Sequence, residues 1–158
     1  SISGLSPGSY TWTVTNSVGC TSDPSGSAFI ASQPITPSAP LVGTVTQPTC
    51  GVSTGSVVLN GLPGTGDWTV SWSPGGGSRS GSGSATTISG LSSGSYTFTV
   101  TNVDGCTSNS TGSVTINLQP PTPQAPNVGS ITQPTCSVGT GSVALNGLPS
   151  SGSWVLTR

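Results

Sequence analysis

Ile88-Ser89-Gly90-Leu91-Ser92-Ser93-Gly94-Ser95-Tyr96-Thr97-Phe98-Thr99-Val100-Thr101-Asn102 lies just past the middle of the chain. From Tyr96 onward it alternates a bulky apolar residue with a threonine. A period of two, carried by aromatic and β-branched side chains, marks a strand with one buried and one wet face. The glycines and serines ahead of Tyr96 mark a turn. The alternation returns in Tyr10, Trp12 and Val14 and in Trp68-Thr69-Val70-Ser71-Trp72. It is weaker in Ser56–Asn60, Ser113–Ile116 and Val42–Thr46. No window has helical spacing, and Gly or Pro interrupts nearly every stretch of ten residues.

The sequence therefore predicts an all-β fold, with strands near 41–47, 55–61, 67–73, 84–90, 95–102 and 111–118. Pro74–Gly83, rich in glycine, reads as a loose loop. Short strands joined by glycine-rich turns assemble into a two-sheet, immunoglobulin-like β-sandwich. Its core is expected from Val57, Leu59, Leu62, Trp68, Trp72, Ile88, Leu91, Tyr96, Phe98, Val100, Val114 and Ile116.

The segments also repeat. Ile2-Ser3-Gly4-Leu5 matches Ile88-Ser89-Gly90-Leu91, and Gly19-Cys20-Thr21-Ser22 matches Gly105-Cys106-Thr107-Ser108. Thr46-Gln47-Pro48-Thr49-Cys50 matches Thr132-Gln133-Pro134-Thr135-Cys136, and every offset is 86. Residues 1–72 laid on 87–158 need no gap and are identical at 45 of 72 positions. A unit of that length is too long for a solenoid turn and suits a small independent domain. Proline clusters at 33–40 and 119–126 favour stiff, extended spacers. The expected organisation is the C-terminal part of one repeat (1–37), one complete sandwich (38–123) and the N-terminal part of the next (124–158).

Composition excludes several classes. Only 3% of residues are charged and the net charge is −1. Nucleic-acid binding relies on many Lys and Arg contacts to phosphate, so no nucleic-acid partner is expected. No apolar run is long enough to span a bilayer, and no basic cluster points to a membrane surface. The sequence has no His, Lys or Glu. Its acids are not kept between repeats: Asp104 aligns with Val18, Asp67 with Ser153 and Asp23 with Asn109. General acid–base catalysis needs a positioned titratable group, so no enzyme, catalytic residue or cofactor is expected. Asn102, Asp104 and Asn109 have the oxygens that Ca²⁺ takes, but Asn16-Ser17-Val18-Gly19 has no carboxylate. Turn shaping by Asn and Asp is the expected role there, and no metal site is expected.

Each repeat carries two cysteines, Cys50 and Cys106 in the complete one, with counterparts Cys136 and Cys20. Neither CxxC spacing nor a nearby His points to zinc; a disulfide is the expected use. The simplest pairing is Cys50–Cys106 within one repeat. Standard immunoglobulin topology puts those two turns at opposite ends of the sandwich, beyond bonding reach. A bond from Cys50 to the counterpart of Cys106 in the next repeat, and free thiols, therefore stay open. Of the tryptophans, Trp72 aligns with Arg158 and is the candidate for a surface contact, together with Arg79.

Several strings resemble a known family. They are Gln-Pro-Thr-Cys (47–50), Gly-Ser-Val-Val-Leu (55–59), Trp-Thr-Val-Ser-Trp-Ser (68–73), residues 88–102 and Asp-Gly-Cys-Thr (104–107). They look like the repeats of SprB-type cell-surface adhesins of gliding Bacteroidetes, although the 86-residue unit is longer than the compact family repeat. The resemblance implies secretion to the cell surface, attachment at the outer membrane and a role in adhesion or gliding. The expected function is a structural stalk or adhesin segment, projecting or assembling as an extended fibre. Its partners would be neighbouring repeats and other copies in a filament. The alternative is a module that binds glycans or surfaces through loops such as 74–83.

Overall fold

The structure, a computed structural model, describes residues 1–158 and contains strands but no helix. The strands are β1 (Gly8–Tyr10), β2 (Ala28–Ile30), β3 (Leu41–Thr46), β4 (Gly55–Asn60), β5 (Asp67–Ser73) and β6 (Gly77–Ser82). They continue with β7 (Ala85–Leu91), β8 (Gly94–Asn102), β9 (Val114–Ile116), β10 (Asn127–Thr132) and β11 (Ser142–Asn146).

The central strands form two antiparallel sheets, one ordered β3-β4-β7 and the other β6-β5-β8-β9. Both contribute to one core. Val57, Leu59, Ile88 and Leu91 come from the first sheet; Trp68, Val70, Tyr96, Phe98, Val100, Val114 and Ile116 come from the second. Leu62, in the β4–β5 connection, completes the cluster of 12. Alternation explains the membership: β8 buries Tyr96, Phe98 and Val100 and turns its threonines outward. The expected core differs by one exchange. Val70 is fully buried, whereas Trp72 is half-buried at the end of β5 and packs against the core from its rim.

Three details depart from the sequence reading. First, Pro74–Gly83 is not a loose loop, because Gly77–Ser82 is strand β6, paired along its whole length with β5. Its glycines reflect close approach rather than looseness. Gly77 faces Trp72 and Gly81 faces Trp68, and a Cβ at Gly81 would lie 2.9 Å from Cη2 of Trp68. The indoles occupy the space that side chains would fill.

Second, β9 covers only three of the residues expected from 111 to 118. The chain before it is held to β8 partly by side chains. Val100 N–H donates to Ser108 Oγ (3.0 Å) and Phe98 N–H to Thr111 Oγ1 (3.1 Å). In return, Ser108 N–H donates to Val100 O (2.9 Å) and Thr111 N–H to Phe98 O (2.8 Å). The two hydroxyls replace ladder acceptors, which is why Ser108 and Thr111 are buried.

Third, β3 carries a bulge between Val42 and Val45. The same irregularity separates Val128 from Ile131 in β10, at the same offset of 86.

The outer segments form two small sheets, β1-β2 and β10-β11. They reproduce local features of the centre but leave its core residues in water. Val14 is 73% exposed where Val100 is 0%, and Trp154 is 48% exposed where Trp68 is 3%.

Candidate functional site

The side chains with the most specific long-range bonds sit at the two ends of the central sandwich, where the proline linkers meet it. Strand β8 runs between these ends, from Gly94 beside Ile116 to Asn102 beside Trp68. Its nine residues set the ends about 27 Å apart at the usual rise per residue.

At one end the chain leaves the sandwich. Gln47, just after β3, donates from Nε2 to Thr115 O (3.0 Å) and accepts Asn117 N–H on Oε1 (2.8 Å). Gln119, in the departing linker, donates from Nε2 to Cys50 O (3.0 Å). Cys50 is exposed in a tight turn closed by reciprocal bonds between Thr49 and Val52. The corresponding turn around Cys136 keeps the bond from Thr135 N–H to Val138 O (2.9 Å).

At the other end the chain arrives. Asn102 Nδ2 donates to Ile35 O in the incoming linker (3.0 Å), and its Oδ1 accepts Cys106 N–H (2.9 Å). Asn102 N–H donates to Cys106 O, and Gly105 N–H to Asn102 O. Both polar atoms of this side chain are therefore engaged with backbone, in the turn-shaping role expected for the loop. Cys106 is half-buried inside it. The loop at Cys20 is built alike, with Cys20 N–H donating to Asn16 Oδ1 (2.9 Å).

No two of the four cysteines are bonded to each other in this structure. The bond considered within one repeat, Cys50–Cys106, does not fit this fold. One thiol lies beside the departing linker and the other beside the arriving one, whereas a disulfide needs Cα atoms within about 7 Å.

Trp72 and Arg79 both belong to the β5–β6 rim. Trp72 is half-buried over Gly77, so it offers an edge rather than a full face. Arg79 is exposed on edge strand β6, opposite Val70. A charge on the inward side of an edge opposes the addition of another strand. Because this stretch is strand, most of the loop expected to bind glycans is committed to the sheet.

A shallow concavity of about 290 Å³ lies on the outer face of the β6-β5-β8 sheet. Asp67, Thr69, Ser80 and Thr101 supply its polar side chains. They provide hydroxyls and a single carboxylate. No group of three or more His, Cys, Asp or Glu side chains converges in the structure.

Compared with known proteins, the chain matches no family model and no curated sequence. Sequence reasoning missed Gln47, Gln119, Ser108 and Thr111. Part of the signal was present: Gln47 and Gln119 are identical to Gln133 and Gln33, 86 residues away.

Proposed function

We propose that the chain is a non-catalytic stalk segment made of tandem 86-residue immunoglobulin-like sandwiches, part of a large secreted protein displayed at the cell surface. The observation that carries this reading is that the linkers meet the central sandwich at opposite ends, at Asn102 and at Cys50. A polypeptide that enters one end of each unit and leaves by the other builds length with every repeat. The sheet order supports the immunoglobulin-like assignment, since β3-β4-β7 and β6-β5-β8-β9 correspond to strands ABE and C′CFG. So does the Tyr96 hydroxyl, which donates to Ser92 O (3.0 Å) at the start of β8, as in a tyrosine corner. Tyr10 repeats this bond to Ser6 O (2.8 Å). Near-absence of charge suits a surface that works across ionic strengths. The resemblance to SprB-type repeats supports adhesion or gliding as the setting.

Small-angle scattering tests the reading. Each additional copy of residues 38–123 is expected to lengthen the particle by a constant step of about 30 Å or more. A maximum dimension that does not grow with repeat number would overturn it. Saturable binding of the same chains on a glycan array would favour a binding module instead.

A further inference from the structure

We propose that consecutive sandwiches are clamped covalently, by a disulfide from Cys50 of one unit to the counterpart of Cys106 in the next, closed across the linker between them. The proposal rests on the tandem reading above.

Two independent hydrogen bonds carry it. Gln119 ties the departing linker to the carbonyl of Cys50. Asn102 ties the arriving linker, through Ile35 O, to the loop whose Cys106 N–H it also holds. Gln33 occupies the position of Gln119 one repeat earlier. Across a single linker, then, Gln33 has the place of the residue that holds the preceding unit's cysteine turn. The residue held by the second unit's cysteine loop is Ile35. Two residues span at most about 7 Å. Both thiols thus belong to one junction, while the two thiols within a sandwich are separated by the length of β8. Cys50 is exposed and Cys106 half-buried, so both are open to exchange.

The oxidant is a low-molecular-weight disulfide such as glutathione disulfide. The Cys50 thiolate attacks it, forms a mixed disulfide and releases one glutathione thiolate. The thiolate of the next unit's Cys106 counterpart then attacks the Cys50 sulfur, closes the clamp and releases the second. Two cysteine thiols are oxidised and one glutathione disulfide is reduced to two thiols, the two protons given up by the cysteines passing to the two glutathione thiolates.

Such clamps would reroute tension. Load would pass along β3 to Cys50, across the bond, and along β9 to the following linker. Residues 51–105, with β4 to β8 and most of the core, would lie outside the loaded path.

The test uses the 158-residue chain lengthened by a second, tandem copy of residues 38–123. One variant keeps only Cys50 of the first copy and Cys106 of the second. Another keeps only Cys50 and Cys106 of the first copy, and all other cysteines become serine. In a glutathione redox buffer, the first variant is expected to lose both alkylatable thiols as a monomer, and the second to keep them. Under force, the oxidised first variant should lose roughly 500 Å of extensible chain relative to the reduced form. Closure of the same-copy pair, or of neither pair, would overturn the clamp while leaving the stalk reading standing if the scattering length still grows with each repeat. Loss of the near-UV signal of packed Trp68 would overturn both.

Discussion

Replacing Thr111 by Val removes one oxygen and keeps the shape of the side chain. In the folded sandwich that oxygen accepts the N–H of Phe98, a residue 0% exposed. Ser108→Ala does the same to the N–H of Val100, also 0% exposed. Neither substitution opens a sizeable cavity, so the cost is that of a buried donor left without its acceptor, about 1–3 kcal/mol each. At ordinary stability the proposed 86-residue unit holds about 4–13 kcal/mol, so the double variant would lose a large share. In thermal terms each kcal/mol corresponds to about 4–8 °C for a unit of this size. The two sites are neighbours on one ladder, and their effects need not add. The assay is urea unfolding of the full chain, followed by fluorescence of the buried Trp68. The repeat supplies its own control. Ser22 accepts Val14 N–H in the same way (3.1 Å), but Val14 is 73% exposed and water can replace the hydroxyl. Ser22→Ala should leave the Trp68 transition unchanged. A Thr111→Val midpoint equal to that of the parent, or a Ser22→Ala effect as large as that of Ser108→Ala, would refute the reasoning.

Further outcomes follow from the same contacts. Gly81→Val drives a branched side chain into the Trp68 ring and should cost about 1–3 kcal/mol by overpacking; trypsin should then cut after Arg79 faster than in the parent chain. Phe98→Ala empties the centre of the core and should cost about 3–5 kcal/mol, read as a lower urea midpoint. Joining residues 124–158 to 73–86 and then to 1–37 recombines the two outer segments in repeat order, and this 86-residue polypeptide is expected to unfold cooperatively; a featureless melt would count against the repeat as a folding unit. Asn102→Ala releases both the Ile35 carbonyl and the Cys106 amide, and should raise hydrogen exchange at Cys106 without shifting the Trp68 transition by more than about 1–2 kcal/mol.

The period-two runs around Trp68, Phe98 and Val114 already implied strands, and the offset of 86 already implied a recurring unit. Eleven of the twelve core residues were legible, most of them because alternation places them on one face whatever the topology; Leu62, in a connection, and Leu91, three residues after Ile88, were legible by their apolar bulk instead. The limits of that reasoning are equally physical. Glycine in a strand looks like a turn until the neighbouring indole is in place, so β6 was invisible without Trp68 and Trp72 packed across it. Ser108 and Thr111 look like surface residues, since nothing local shows a hydroxyl standing in for a ladder carbonyl. Which end of the sandwich each cysteine occupies depends on partners 69 and 67 residues away, Gln119 for Cys50 and Ile35 for the Asn102 loop. Periodicity is a property of neighbours along the chain, and it determined the strands and the core. Pairing across such separations is settled only when the sheets close, and that closure decided the bulges, the glycine-backed edge and the contacts of the two linkers with the cysteine turns.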